Sequence, residues 1–309
     1  MKKVVKKTTI GGQALFEGIL MKGPKETAIV VRKPDGSLES KIMEDRVSLA
    51  SKYKIFRLPF FRGIAALYDA MRNGTKAIDY SASFMEEDPE EVAKEEAKSE
   101  KRKKVDEIFF NMFSFLLIAV FLFAFLVLPS MISNIFADRI GSTVLLNLIE
   151  GLIRILFFFI YVIAISNMKD IKRVFMYHGA EHKTIATYEF GEDLTVENVR
   201  QNSKLHPRCG TSFMFNMVII SALVLSFFGW PNPILRVLIR ILMIPILVGI
   251  TYELNKWMGG SDTKLAKILS KPGLFIQYIG TVKEPTDDMI EVAIEAMKMV
   301  IPDDDSDVW

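Results

Sequence analysis

Four long apolar segments occupy the middle of the chain, separated by polar stretches of unequal length. They run from about Ile108 to Met131, from about Val144 to Ser166, from near Phe213 to near Trp230, and from about Ile234 to Tyr252. Each approaches the ~20 residues that an α-helix needs to cross a hydrocarbon core of about 30 Å. The pattern therefore predicts about four transmembrane helices.

Shorter patterns precede and follow these segments. Residues 27–46 alternate around Pro-Asp-Gly, which predicts two strands joined by a turn. Residues 58–85 have apolar positions at helical spacing, broken at Asn73-Gly74, which predicts a pair of amphipathic helices on the membrane surface. A helical stripe near the C-terminal end consists of Ile290, Ala293, Ile294 and Met297.

Together these patterns predict a mainly α-helical polytopic membrane protein with a small N-terminal β-containing cytoplasmic portion. We expect four parts: a glycine-rich β segment with amphipathic helices at 1–85, a charged linker at 86–106, a four-span membrane domain at 107–258 with a cytoplasmic His/Cys loop at 167–212, and a cytoplasmic helical segment at 259–309. The linker is almost wholly charged, and we assign it no chemistry.

The distribution of Lys and Arg predicts the orientation of the spans. These residues cluster before the first span, in the loop at 167–212 and after the fourth span, whereas the two short connections carry almost none. By the positive-inside rule, that loop and both termini should be cytoplasmic. We therefore expect a multi-pass protein of the inner (cytoplasmic) membrane, with the lipid bilayer as a partner.

Composition supports this class and argues against others. Half of the residues are hydrophobic and 23 are Phe, which would be unusual for a water-soluble enzyme. The 39 basic and 37 acidic residues nearly balance, so no nucleic-acid partner is indicated. A single cysteine excludes an internal disulfide, and the basic N-terminus lacks the apolar run of a signal peptide.

All three histidines and the only cysteine lie between His178 and Cys209. His178 and His182 are four residues apart, so on a helix both imidazoles project from the same face. Paired imidazoles suit a divalent transition metal, of which zinc is the commonest. The order H-x-x-E-H also matches the inverted zinc-protease motif, in which Glu181 would be the general base.

A catalytic or structural metal needs further protein ligands, and the candidates are His206, Cys209 and Glu253. All lie where the predicted topology brings them to the cytoplasmic membrane face. Three ligands would leave an open position for catalysis, whereas a closed set would be structural. A chemistry without metal is also open, in which Arg208 and a helix N-terminus activate Cys209 and a histidine acts as base.

The stretch GGQALFEGILMKGP at 11–24 contains four glycines but forms neither a phosphate loop nor a dinucleotide fingerprint. One interpretation is a tight backbone on a small sheet. Another is that the glycines let the backbone approach the site, with Gln13 and Glu17 as further site residues.

Charged residues also occur inside the apolar segments. Glu150 and Arg154 are four residues apart and are expected to pair, since charges within a span are costly alone. Arg236 and Arg240 lie early in the fourth segment, and we expect them to extend toward lipid phosphates.

The strings GGQALFEGILMKGP, YHGAEHKTIATYE, LTVENVR and LHPRCGTSF resemble the YqhQ-like family of bacterial inner-membrane proteins, described as predicted metal-dependent enzymes. The resemblance covers most of the chain, including KPGLFIQYIGTVKEPTDD. It implies a membrane protein with a metal site. The residues that match are Gly12, Gln13, Glu17, Gly18, His178, Glu181, His182, His206 and Cys209.

The sequence thus supports two functions of different classes. The first is a zinc-dependent hydrolase at the cytoplasmic face, acting on a lipid-linked or membrane-proximal substrate, which includes membrane proteins. The second is a membrane scaffold or assembly factor whose structural His/Cys metal site ties the loop to the spans. A transporter has little support, because broken-helix Gly/Pro pairs and a clear repeat are missing from the sequence.

Overall fold

A computed structural model of the protein describes residues 4–43, 48–85 and 100–309. The chain divides into two compact units. The first consists of Met1–Phe84, Phe159–Met217 and Ile244–Trp309, and the second of Met85–Phe158 and Val218–Met243. Most of the charged linker expected at 86–106 lies outside the described residues.

An antiparallel sheet of four strands lies in the first unit. The strands are β1 (Gly11–Leu15), β2 (Gly18–Lys22), β3 (Thr27–Arg32) and β4 (Leu38–Ile42), hydrogen-bonded in the order β1-β2-β3-β4. The two strands predicted around Pro-Asp-Gly are confirmed as β3 and β4, and Gly36 in their turn has a φ of 84°. The glycine-rich stretch forms the β1–β2 hairpin, in which Gln13 pairs with Leu20.

The other regular elements in the described residues are mainly α-helices. Their bounds are α1 Leu49–Lys52, α2 Phe61–Ala82, α3 Glu100–Leu122, α4 Leu128–Asn134, α5 Thr143–Ser166, α6 Lys169–Glu189, α7 Val196–Gln201, α8 Gly210–Leu225, α9 Pro233–Gly260, α10 Lys264–Ile276 and α11 Asp287–Lys298. Short 3₁₀ turns lie at Lys54–Arg57, Ser226–Phe228 and Asp305–Asp307. Single π-helical turns follow α3 at Phe123–Val127 and α10 at Gln277–Thr281.

Both faces of the sheet are covered, because successive side chains of a strand point to opposite sides. On one face, residues such as Ile19 and Val30 join a core with α6 and α11. On the other face, residues such as Leu20 and Ile29 pack with Ala77 of α2. The predicted C-terminal stripe is confirmed, since its members are buried in the first of these cores: Ile290, Ala293, Ile294 and Met297.

The pair of amphipathic helices expected at 58–85 is instead one continuous helix, α2, which runs through Asn73-Gly74 without a break. Gly74 is buried, and a Cβ at this position would lie 2.6 Å from Oε1 of Gln13. Packing of the helix against β1 therefore outweighs the weak helix propensity of glycine, and the missing side chain is what permits the close approach.

Four helical stretches in the described residues are long and apolar enough to cross a membrane, by length and composition. They are Asn111–Asn134, Thr143–Ser166, Gly210–Phe228 and Pro233–Gly260, which agree with the four predicted segments. At most 33% of each apolar window is buried inside the protein. Most of their apolar surface is therefore left for another environment to cover.

A buried charge cluster lies in the second unit, with Glu150 at its centre. One carboxylate oxygen accepts a hydrogen bond from Arg154 at 2.6 Å, which confirms the expected pair, and the other accepts from Arg240. Arg236 and Arg240 are each only 4% exposed. The expectation that they extend outward is wrong, because Arg240 turns to Glu150 and Arg236 stacks on Trp230 at 3.8 Å.

Replacing Glu150 with Gln should strongly destabilise the protein, because two buried guanidinium groups would lose their common carboxylate. We expect a loss of about 3–5 kcal/mol, the usual effect of removing one partner from a buried ion pair. Equilibrium unfolding of the purified protein in mixed micelles measures it. Glu39→Gln is the matched control, since the partly exposed Lys33–Glu39 pair should contribute about 0–1 kcal/mol. Equal stability of the two variants would contradict the prediction.

Candidate metal centre

His178 and His182 both lie on α6, and each ring is fixed by a backbone carbonyl. Nδ1 of His178 is 2.9 Å from the carbonyl oxygen of Thr281, and Nδ1 of His182 is 2.7 Å from that of Lys204. A carbonyl only accepts, so both Nδ1 atoms carry the proton and donate. This tautomer leaves each Nε2 as the atom that can bind a metal, the arrangement that orients metal-ligating histidines in proteins.

Cys209 supplies the third group of the cluster. Its Sγ lies 3.3 Å from Nε2 of His178 and 3.1 Å from Oγ1 of Thr211. Possible ligand atoms of His178, His182 and Cys209 all lie within 4.8 Å of one another. One cation could therefore contact all three, and their two nitrogens and one sulfur are donors that zinc prefers.

Gln277 holds the segment that carries Cys209 in place. Its side chain is fully buried and accepts a hydrogen bond from the backbone N–H of His206 at 3.0 Å. Its amide nitrogen donates to the carbonyl of His206 and to Oγ of Ser212, both at 2.8 Å. Gln277 begins the π-helical turn that ends with Thr281, so one irregular turn positions both Cys209 and His178.

Glu181 is on α6 and lies beside the three candidate ligands. Its Oε1 accepts a hydrogen bond from the backbone N–H of Gly12 at 2.9 Å, and its Oε2 is 4.0 Å from Nε2 of His178. A Cβ on Gly12 would lie 3.0 Å from Cγ of Glu181 and 2.7 Å from the carbonyl oxygen of Leu20. Glycine is thus required at position 12 for strand β1 to approach Glu181 this closely.

The electrostatics of the cluster favour a charged pair in the metal-free protein. Burial alone would lower the pKa of His178, but the Cys209 thiolate and the Glu181 carboxylate raise that pKa to about 9. Burial alone would raise the pKa of Cys209, but His178 and His182 bring it well below its ordinary value. The two histidines therefore favour the thiolate form of Cys209, the form in which cysteine binds metals and attacks electrophiles.

His206 and Arg208 belong to a neighbouring network centred on Glu189. Nε2 of His206 lies 3.3 Å from one oxygen of Glu189, and Arg208 bonds the other. Burial lowers the pKa of His206 to about 4, assisted by the charges of Arg208 and His182 and opposed by Glu189. His206 is thus neutral, and its Nε2 faces Glu189 rather than Cys209.

The two remaining acidic candidates have basic partners of their own. Glu253 is half-buried and bonds the guanidinium group of Arg62 through both oxygens. Glu17 accepts hydrogen bonds from Arg173 at 2.5 and 2.6 Å, and from the hydroxyl of Tyr177 at 3.2 Å. Neither belongs to the group of three residues whose ligand atoms converge.

The cluster opens into a cavity of about 970 Å³. Several residues singled out from the sequence line it: Gly12, Gln13, His178, Glu181, His182, Arg208 and Cys209. A ligand in this cavity could therefore approach both the candidate metal ligands and the Glu181 carboxylate.

Residues that sequence reasoning missed are the ones that orient the cluster. They are Gln277 and the carbonyl groups of Lys204 and Thr281. Every residue carries a backbone carbonyl, so no residue type could have revealed the last two. The approach of the Gly12 backbone was one of the interpretations of the glycine-rich stretch. For Gln277 the only signal was an apolar run interrupted by an amide, within the string KPGLFIQYIGTVKEPTDD that the family resemblance covers.

The family now follows from the sequence as a whole. Residues 58–303 match the family described as "Protein of unknown function (DUF1385)", and the chain belongs to this family. It is 33% identical over 300 residues to "Uncharacterized protein YqhQ" of Bacillus subtilis (strain 168), across 94% of this chain and 92% of that protein. The resemblance drawn from the motifs is confirmed. No solved structure matches significantly.

Chelator-treated protein should be alkylated by iodoacetamide at pH values where an ordinary thiol, with a pKa of about 8.5, is protonated. The thiolate is lost only as the pH falls through the lowered pKa. His178→Ala removes the neighbouring positive charge, so its pH profile should move upward. Mass spectrometry across a pH series measures the rate at this single cysteine.

Unfolded wild-type protein is the control for this experiment, since its profile should be that of an ordinary thiol. If the folded wild type, the His178→Ala variant and the unfolded chain gave the same profile, the thiolate assignment would be wrong.

Proposed function

We propose that this protein is a metal-dependent hydrolase at the cytoplasmic face of the inner (cytoplasmic) membrane. The metal is zinc, and the substrate is lipid-linked or membrane-proximal. The observation that carries the proposal is the convergence of His178, His182 and Cys209 beside the Glu181 carboxylate, on the wall of a large cavity.

The donor atoms are of the kinds that zinc prefers, and their protonation states leave them free to bind it. His178 and His182 present Nε2, and Cys209 presents a thiolate, which together form a three-ligand set like those of catalytic zinc sites. A zinc ion bound there would polarise a carbonyl or phosphoryl oxygen and lower the pKa of a water molecule. Three protein ligands leave the fourth position for water or substrate, whereas a structural site would need a fourth ligand.

Glu181 is positioned to act as the general base. The Gly12 N–H holds one oxygen, and the other, Oε2, lies 4.0 Å from Nε2 of His178. From there Oε2 would take a proton from the attacking water and return it to the leaving group when the substrate bond breaks. The hydrogen bond from Gly12 also restricts rotation of the carboxylate.

The membrane location rests on the four apolar helices and the charge distribution. Helical backbone satisfies its own hydrogen bonds, so stretches of this length and hydropathy are suited to hydrocarbon. Their exposed apolar surface would be covered by lipid. The excess of Lys and Arg in 167–212 and after the fourth apolar segment favours a cytoplasmic location for both, and α8 begins directly after Cys209.

A second candidate is a metal-free Cys/His hydrolase or acyltransferase. The 3.3 Å separation between Sγ of Cys209 and Nε2 of His178 favours it, since this is the geometry of a nucleophile beside its base. The non-enzymatic scaffold is less favoured, because the converging group in the described residues has three members and faces a cavity.

Purified wild type should contain about one zinc per chain, and the His178→Ala/His182→Ala variant almost none, because two of three ligands are removed. Elemental analysis measures both. His206→Ala is the matched control: it removes the one histidine outside the cluster, so its zinc content should equal that of wild type. Glu181→Gln should keep the metal and lose hydrolysis. Wild type without metal would overturn the proposal in favour of the Cys/His chemistry.

Membrane orientation can be tested with single cysteines, because Cys209→Ser leaves a background without thiols. Asp138→Cys lies in the first short connection and should react with a membrane-impermeant maleimide on intact cells. Glu197→Cys, on α7, should react only after permeabilisation, since its segment is expected in the cytoplasm. Both side chains are exposed, so accessibility is matched. The reverse labelling pattern would show that the orientation is wrong.

A further inference from the structure

We infer that the substrate is an amphiphile with an anionic headgroup, whose head and apolar chain occupy two cavities that meet at the candidate metal centre. This inference rests on the proposed function and adds the substrate class to it. It is drawn from the lining of the cavities in the first unit.

The second cavity, which adjoins the first, has an apolar lining. Its volume is about 590 Å³, within the range of about 300–1,000 Å³ that small-molecule sites occupy. Apolar side chains from α2, α6 and α8 line it: Leu67, Met71, Val174, Phe175, Phe213 and Met214. Met71 and Met214 are 65% and 54% exposed, so the apolar lining continues to the protein surface. A hydrocarbon chain could enter there without crossing a polar barrier.

The cavity of about 970 Å³ has the more polar lining of the two, with four cationic side chains and two carboxylates. Its cationic side chains are Lys22, Lys25, Arg72 and Arg208, and its carboxylates are Asp69 and Glu181. Lys25 pairs with Asp304, and Arg208 with Glu189. Lys22 and Arg72 have no ion-pair partner among the described residues, so their charges are available to an anionic group.

The reacting groups lie where the two cavities meet. Both cavities are lined by Gly12, Gln13, His178, Glu181, Arg208 and Cys209. A soluble anion would use only the polar cavity, and a neutral lipid only the apolar one. An amphiphile that used both would place the bond between its head and its chain beside Glu181 and the candidate metal ligands.

Two adjacent residues of helix α2 line different cavities. Met71 lines only the apolar cavity and Arg72 only the polar one. Substitutions at these neighbours on one helix should therefore act on different parts of the substrate. This gives a pair of variants at neighbouring positions, of which only the Arg72 variant should distinguish the charge of the headgroup.

Binding is measured by contact quenching of Trp309, which lines the apolar cavity. The reporter is a Trp230→Phe/Trp257→Phe protein, in which Trp309 is the only tryptophan left. It is chelator-treated, placed in phosphatidylcholine nanodiscs, and titrated with lysophosphatidylglycerol or lysophosphatidylcholine carrying the same brominated chain. Both probes have the apolar chain, but only the first has a net negative headgroup.

The anionic probe should quench at lower concentration than the zwitterionic one. Arg72→Gln should weaken the anionic probe about tenfold, as loss of a charge-assisted hydrogen bond predicts, and leave the other unchanged. Met71→Gln should weaken both probes to a similar degree. Glycerol phosphate, which has a head but no chain, should compete poorly.

Equal weakening of both probes by Arg72→Gln, or competition by glycerol phosphate as strong as by the lipid, would overturn the inference. The measurement uses metal-free protein, so it is independent of hydrolysis. Selective binding without hydrolysis by the zinc-loaded protein would refute the proposed function alone. Hydrolysis without the Arg72 selectivity would refute the amphiphile assignment alone.

Discussion

Each histidine on α6 donates its Nδ1–H to a backbone carbonyl that comes from a distant part of the chain. A buried N–H without an acceptor is costly, so these two bonds fix where the segments around Lys204 and Thr281 must run. The first of these segments leads to Cys209, and the second begins with Gln277, which clamps His206. The geometry of the cluster is therefore set by satisfying the hydrogen bonds of the histidines, and it does not depend on a metal.

Glu189, at the end of α6, also holds distant segments of the chain in place through hydrogen bonds. Its buried carboxylate accepts from the backbone N–H of Thr8 at 2.7 Å and from Arg208, and it lies 3.3 Å from Nε2 of His206. Three donors from two distant segments offset the cost of burying this charge. The network draws the strand region before β1 and the segment before α8 to the same helix. Consequently Gly12 contacts α6 at Glu181, and Cys209 contacts the same helix one turn earlier, at His178.

Hydrophobic periodicity and composition were enough to predict several elements of the fold. The four apolar segments, the strands around Pro-Asp-Gly and the buried stripe of α11 follow from hydrophobic spacing and turn chemistry. The continuity of α2 through Gly74 did not follow, because it depends on a tertiary contact with Gln13. Nor did the inward turn of Arg240 toward Glu150, or the clamp by Gln277, since both join residues far apart in sequence.

Small residues on one face of α2 explain how two cavities can lie beside one cluster. Gly63, Ala66 and Ala70 follow at spacings that place them on the same side of the helix, and all three line the apolar cavity. Gly63 lets α9 approach closely, since a Cβ at this position would lie 2.5 Å from Cβ of Tyr252. Ala66 and Ala70 line both cavities, so their short side chains leave volume next to Glu181 rather than filling it. The same helix is held to β1 by the contact of Gly74 with Gln13. The helix that shapes the space for a ligand is thus anchored to the strand that orients the candidate base.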